Sequence, residues 1–289
     1  MEKDEIRAKI YSKIDELPTL PAVFPKLMSI IKNERTNASD IADVISRDPA
    51  LASKILKVAN SAYYGFAQEI SSLERAVPLL GFNMVKSLAL SIGVIRSLPS
   101  NKKSQYFSQE GLWIHSLAVA TVMNKIGERY GKGDEKEYLF IVGLLHDIGK
   151  IVFCQFFRGP FEQALEEVCK LEKTKLYLAE REMIGFEHGE VGAMLLTRWR
   201  FPDIISKPIA LHHQTAIPEG ASASDVAMLR IADTLPQELG IGEGGNMTPP
   251  EIDEADLKTL EMNKRELEEI KAYLNTAEEG IYGFLNAMS

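Results

Sequence analysis

Residues 143–152 read GLLHDIGKIV. The apolar run breaks at His146 and Asp147, and Lys150 follows one helical turn later. A bland core would continue in Leu and Val, because an ionised carboxylate taken out of water is costly unless it is paired. The stretch therefore asks for partners elsewhere in the chain.

Candidates are few. The chain has five histidines, His115, His146, His188, His212 and His213, each on a predicted helix or at its end. Asp233 interrupts the apolar helix MLRIADTL, close to Ile231 and Leu235. Each of these residues has an ordinary explanation. A lone histidine on an apolar face is commonly a hydrogen-bonded core residue. His212 and His213, about 100° apart on a helix, could be half core and half surface. Asp233 could cap a turn or pair with Arg230, and Lys150 could be a solvated lysine favoured by the helix dipole. All of these explanations would have to hold at once. Imidazole and carboxylate without thiolate suit manganese, iron, zinc or nickel. Facing helices of a bundle can aim such ligands inward. The seven side chains come from five predicted helices, about right for two ions bridged by one carboxylate and completed by water or hydroxide.

The rest of the chain supports a helical scaffold. VFPKLMSIIK (23–32) is apolar at near-helical spacing. Asp48-Pro49 is a helix start, Asp as N-cap and Pro at the first position, where a missing N–H costs nothing. ALASKILKVANSAYYGF then puts Leu51, Ile55 and Val58 on one stripe, with Gly65 as a stop. SSLERAVPLLGF and NMVKSLALSIGVIRSL follow, the second ending before Pro99. LPSNKKSQYF (98–107) reads as a connection. GLWIHSLAVATVMNKIGERYG is a long helix, and DEKEYLFIVGLLHDIGK is another with an acidic first turn. Helices are predicted around 160–172 and 175–184, from Glu187, and from Pro202 to Gln214; Ser224 is read as the cap of DVAMLRIADTLPQELG. IGEGGNMTPP (241–250) is a loop by composition, and two charged helices, about 249–261 and 263–287, close the chain. Strand alternation with Asn-Gly or Asp-Gly turns is absent, so the expected class is all-α. Three segments are expected: an N-terminal helical part (1–105), a metal-binding bundle (106–240) and an acidic tail (241–289). The tail carries 4 Lys+Arg against 11 Asp+Glu, and its Leu267, Ile270, Leu274 and Ile281 could line one face against the body or against a second subunit.

Composition narrows the setting. With 289 residues, 45% hydrophobic and 26% charged, the chain is of globular type. No uninterrupted apolar run approaches the roughly 18 residues of a membrane helix, and MEKDEIRAKI lacks the basic-then-apolar order of a secretory signal. A cytoplasmic protein is expected. Cys154 and Cys169 match no zinc or redox spacing and are expected to be buried free thiols. The net charge of −8 argues against nucleic acid and anionic membranes as partners. The charge is uneven: 15 Lys+Arg against 11 Asp+Glu up to residue 105, then 18 against 30.

The order His115, His146-Asp147, Asp233 resembles the metal signature of the HD superfamily of metal-dependent phosphohydrolases. HDIGK at 146–150, with His188 and His212-His213, resembles the HD-GYP branch, which degrades cyclic dinucleotides. Upstream, LPTLPAVFPKLMSII, ISRDPALASKILKVANSAYYG and ISSLERAVPLLGFNMVKSLAL look like an HDOD domain, a bacterial regulatory module on the HD scaffold; the likeness runs from about Leu17 to Gln214. The resemblance implies two divalent ions, iron or manganese favoured, with zinc, nickel or magnesium also open. It implies His115, His146, Asp147 and Asp233 around one ion, and bridging Asp147 with His188, His212 and His213 around the other. It sets Lys150 near a substrate phosphate or the bridging hydroxide, and makes Asp147 and Lys150 the candidate catalytic pair. Many HDOD proteins have lost HD ligands; this chain keeps the set. It departs from HD-GYP after His213, where Gln214 replaces an acid and no Gly-Tyr-Pro loop follows. It departs again at Gly111, where that branch often has a third-metal Glu. Both departures argue against cyclic-di-GMP as substrate.

Three functions are compatible with these residues. The first is a signal-transduction module whose metal site is structural or sensory, acting through a protein partner. The second is an active phosphodiesterase or phosphohydrolase acting on a phosphate-containing small molecule. The third is a di-iron oxygenase using the same ligands. A homodimer through the C-terminal helices is a further expectation.

Overall fold

A computed structural model describes residues 3–17, 20, 24–31, 37–99, 104, 106–131, 136, 138–171 and 174–288. These residues form helices and turns, with no β-strand among them. The chain divides into two compact units, one of residues 1–17 and 99–275, the other of residues 18–98 and 276–289.

The second unit is built from α2 (Phe24–Ile31), α3 (Ala38–Ser46), α4 (Pro49–Ala59), α5 (Leu73–Leu80) and α6 (Phe82–Ser97). Asp48 caps α4 as expected: its Oδ1 accepts from Leu51 N at 3.0 Å, and Pro49 occupies the first turn. Leu51, Ile55 and Val58 form the predicted stripe and are fully buried. α4 stops at Asn60, before Gly65, and Asn60 serves a second purpose. Its Oδ1 accepts from Ile70 N at 2.7 Å and its Nδ2 donates to Ile70 O at 2.9 Å, so one side chain pins the loop leading to α5. α5 and α6 meet at Gly81 and bend by 115°. Val23, Lys32 and half of the polar connection 98–107 lie outside the described residues.

The first unit carries the site. Its long helix is α7 (Gln109–Tyr130), capped by Ser108 Oγ on Gly111 N. α7 packs on α8 (Leu139–Leu145) and on α14 (Ala223–Leu239). α9 (Ile148–Phe156) packs on α12 (His188–Arg198), which packs in turn on α13 (Asp203–Leu211). α10 (Arg158–Lys170) and α11 (Leu176–Met183) pair beside them, and α15 (Glu254–Leu260) lies on α14. The expected single helix 134–150 is two helices, α8 and α9, interrupted at His146-Asp147. Its acidic first turn, Asp134, Glu135 and Glu137, lies outside the described residues. Leu139–Phe156 is apolar enough over 18 residues to cross a membrane by composition, yet 89% of it is buried in the protein. Ser222, two residues before the predicted Ser224, caps α14.

The compact units differ from the three expected segments. α1 (Lys3–Asp15) belongs with the bundle: it packs on α12, buries Ile10 and Ile14, and Asp15 meets Arg198 Nε at 2.5 Å. The tail is divided, because α16 (Lys264–Met288) contributes to one unit up to residue 275 and to the other from residue 276. Leu267, Ile270, Leu274 and Ile281 are all buried within the chain. Both cysteines are free, but only Cys154 is buried; Cys169 is exposed, against the expectation of two buried thiols. Cys169 sits near the C-terminal end of α10, where neighbouring Lys170 and Leu171 are exposed too.

Candidate metal centre

All seven predicted ligands converge. His115 projects from the middle of α7 and Asp233 from the middle of α14, and His115 Nε2 lies 2.9 Å from Asp233 Oδ1. His146 and Asp147 fill the break between α8 and α9, and His188 is the first residue of α12. His212 follows α13, with His213 beside it. His115, His146, Asp147, His188 and His212 are at most 2% exposed, Asp233 is 7% exposed, and His213 is half-buried.

The local fold explains how the rings are aimed. A helix ends with carbonyls that lack intrahelical partners. His146 and His212 each stand one residue past a helix end, and each ring satisfies one of them. His146 Nδ1 donates to Gly143 O at 2.7 Å, and His212 Nδ1 donates to Ile209 O at 2.7 Å. With Nδ1 used, Nε2 is the nitrogen left to face the centre on both rings, and both Nε2 atoms are buried without a hydrogen-bond partner. Gly149 permits the close meeting of α9 and α12: a Cβ there would lie 2.0 Å from His188 O. Any larger residue would push Asp147 and His188 apart.

Two donor groups result. His115, His146 and Asp147 form one, and His188, His212 and His213 the other. Asp147 stands between them. Its Oδ2 is 3.4 Å from His146 Nε2 and 3.7 Å from His115 Nε2, while its Oδ1 is 3.0 Å from His188 Nε2. Asp233 Oδ1 adds to the first group, 3.4 Å from His146 Nε2. Atoms bound to one ion at ~2.1 Å sit about 3 to 3.4 Å apart, along an edge of an octahedron or tetrahedron. The distances between these donors are of that size.

The electrostatics show where positive charge is wanted. Burial disfavours a charged imidazole. For His146 the neighbouring Asp147 and Asp233 carboxylates outweigh burial and hold the ring at about 10. For His188, burial is outweighed by Glu180 and Asp147, leaving about 9. His212 is the opposite case: burial, then His188 and His146, push it down to about 3, and His213 is also driven well below its ordinary value, first by burial. Asp147 and Asp233 stay well below the usual carboxylate range despite burial, because imidazoles surround both and Lys150 lies beside Asp147. Lone pairs that refuse a proton, beside carboxylates that demand a cation, make a donor set fitted to divalent ions.

The ordinary readings give way here. Asp233 does not pair with Arg230, whose guanidinium reaches Asp256 Oδ1 at 3.1 Å and His212 O at 3.0 Å. Lys150 is no solvated helix-end lysine. It is 4% exposed, 2.6 Å from Asp147 Oδ2, and donates to Gly244 O at 2.7 Å. The loop carrying Gly244 lies over the His115 side of the centre. Glu243 N donates to Gly111 O at 2.9 Å, and Asn246 Nδ2 donates to Gln237 Oε1, which belongs to a residue bonded to Asp233. At Gly111 the space is taken by a neighbour: a Cβ there would lie 2.8–2.9 Å from the side chain of exposed Glu243, which would have to move to admit a larger residue. Gln214 is equally well matched. It donates to Glu187 Oε1 at 2.8 Å, where a second acid would face a buried one.

Beyond the ligands, a cavity of about 260 Å³ opens onto His212, His213 and Asp233, walled by Lys175, Tyr177 and Arg230. Tyr177 stacks on His213, ring centres 4.4 Å apart and planes within 10°. Nothing in the sequence marks Tyr177. Glu180 is hidden too, inside LYLAEREM, which reads as a solvated charged helix. It is fully buried and accepts from His188 Nδ1 at 2.6 Å. Its one signal is its place beside Ala179 on the stripe begun by Leu176, the buried face of α11.

A helical bundle with this histidine–aspartate order defines an HD-type fold. Residues 17–215 match the HDOD domain, and the chain belongs to that family. It is 29% identical over 214 residues to an uncharacterised protein of Treponema pallidum (strain Nichols), covering 72% of this chain and 40% of that relative. The chain thus spans well under half the length of that curated relative. The crystal structure of an HDOD domain protein of unknown function from Geobacter sulfurreducens matches with TM-score 0.80 and 25% identity, over 99% of this chain and 97% of that one. A protein of Shewanella amazonensis SB2B, provisionally called a phosphohydrolase, shares the fold with TM-score 0.75 and 21% identity, over 97% and 98% of the two chains.

Proposed function

We propose that this chain is an HDOD signalling protein whose metal centre is catalytic, cleaving a phosphoester bond in a small substrate. One observation carries the proposal: the seven predicted ligands, from five segments of the chain, converge about Asp147, and three of them, His212, His213 and Asp233, line an open cavity. Two ions held there would lower the pKa of a shared water and polarise a phosphoryl oxygen. Asp147 offers one oxygen to each donor group and so keeps both at a fixed separation. The ring bonds of His146 and His212 to backbone carbonyls hold their Nε2 atoms inward before any substrate arrives. The cavity admits substrate along the His212–His213–Asp233 edge. Its volume of about 260 Å³ falls just below the roughly 300–1,000 Å³ of ligand pockets, and this favours a small phosphoester over a cyclic dinucleotide. Lys150 supplies a point charge beside the bridging carboxylate.

The test is metal analysis of the purified chain, followed by hydrolysis of bis-p-nitrophenyl phosphate and a panel of phosphate esters. Two ions and turnover that vanishes in Asp147→Ala support the proposal. Two ions with no turnover on any ester favour a second reading, a sensory or structural metal site. The tie from Lys150 to Gly244 O supports that reading, because it keeps the ammonium engaged within the protein. A chain that takes up no metal removes both.

A further inference from the structure

We infer that Glu180 is a positioning residue for the second ion, selecting which nitrogen of His188 faces the centre; this rests on the dinuclear reading above. Three buried histidines bring Nε2 to the ligand cluster with Nδ1 bonded behind. For His146 and His212 the bond is to a backbone carbonyl, which no side-chain substitution removes. For His188 it is to a carboxylate on another helix.

The geometry is specific. One oxygen of Glu180, Oε2, accepts from His188 Nδ1 at 2.6 Å and from His188 N at 2.9 Å. It thereby fixes the ring and the first residue of α12 together. Nε2 is then held 3.0 Å from Asp147 Oδ1 and 3.0 Å from His213 Nε2, at the seam between the two donor groups. The other oxygen, Oε1, is buried with no hydrogen-bond partner. A fully buried carboxylate left half unsatisfied is expensive to keep unless positive charge lies near. Carboxylate–histidine–metal relays of this kind orient the ring and raise its basicity as a ligand, and their loss costs about 10- to 100-fold in metal affinity. With Asp147 and Asp233, Glu180 brings the carboxylates around the centre to three, close to balancing two divalent ions and one hydroxide.

The experiment compares wild-type full-length chain with Glu180→Ala, Glu180→Gln and, as a control, Glu187→Gln. Glu187 is also fully buried and adjoins His188 in sequence, but its side chain contacts Gln214 and Arg181. Each protein is titrated with Mn(II); ion count and affinity are read by elemental analysis and chelator competition, and coupling between ions by electron paramagnetic resonance. Wild type and Glu187→Gln are expected to hold two coupled ions. Glu180→Ala should keep one ion and bind the second about 10- to 100-fold more weakly, with an uncoupled spectrum. Glu180→Gln should fall between, since its amide oxygen still accepts from Nδ1–H but lacks the charge. If Glu180→Ala does not fold, Glu180→Gln carries the test. A two-ion wild type with Glu180 variants within twofold of it overturns this inference alone. Equal loss of both ions from a folded variant overturns it as well. A wild type that binds no ion overturns the dinuclear reading together with it.

Discussion

Replacing Asp147 by Asn should strand Lys150, and the cost can be worked from the geometry. Asp147 is 1% exposed and Lys150 4%, and they meet at 2.6 Å. Removing one partner of a buried ion pair costs about 3–5 kcal/mol. Asn keeps a carbonyl oxygen for the Lys150 hydrogen bond, so part of that loss is recovered. The expected net is about 2–3 kcal/mol, or roughly 30- to 150-fold in the folding equilibrium at 1.4 kcal/mol per decade. Adding Lys150→Met removes the stranded ammonium and takes the donor from Gly244 O, at about 1 kcal/mol, while the effect of Asp147→Asn on His146 and His188 is common to both backgrounds and cancels in the cycle. The double variant should therefore be more stable than the sum of the single variants by about 2 kcal/mol. The assay is urea unfolding in chelator at pH 7, followed by tryptophan fluorescence. Both tryptophans, Trp113 and Trp199, lie in the unit that carries the centre, so the signal reports that unit. Additivity of the two substitutions within about 0.5 kcal/mol would refute the reasoning.

Other outcomes follow from the same geometry. Without metal, His146 and His188 hold protons at neutral pH, at about 10 and about 9. An entering ion must displace those protons, so metal affinity should rise between pH 6.5 and 9; calorimetry in buffers of different ionisation enthalpy should detect proton release, and a flat profile would contradict the assigned ligands. His188→Ala should empty one site more than the other by elemental analysis; equal loss of both ions would undo the division between donor groups. Gln214→Ala should keep its metal, whereas Gln214→Glu, facing buried Glu187, should destabilise the fold by about 1–3 kcal/mol, read by thermal melting. Asn60→Ala removes both bonds to Ile70 and should cost about 2 kcal/mol. Circular dichroism should register that loss, since both tryptophans lie in the other unit.

Much of the fold was legible where local chemistry decides. Asp48-Pro49 fixes a helix start through one side-chain bond and one absent N–H, both readable from two letters. The converging histidines and aspartates were legible because charge inside apolar runs has to be answered by something, and few answers were available. The rest depends on who meets whom. The break between α8 and α9 is invisible to hydrophobic periodicity, because Leu139–Leu145 and Ile148–Cys154 are buried all round. Glu180 sits in a segment whose composition matches a solvated helix, and only the approach of α12 buries it. The place of α1 beside α12 rests on Ile10 and Ile14, an apolar pair that marks burial but not the partner that buries it.

The contact between Gly111 and Glu243 carries an evolutionary consequence. A larger residue at position 111 would meet the exposed Glu243 side chain, which would have to swing aside to admit it. The two positions are therefore coupled: which residue position 111 can accept depends on the side chain that stands at 243.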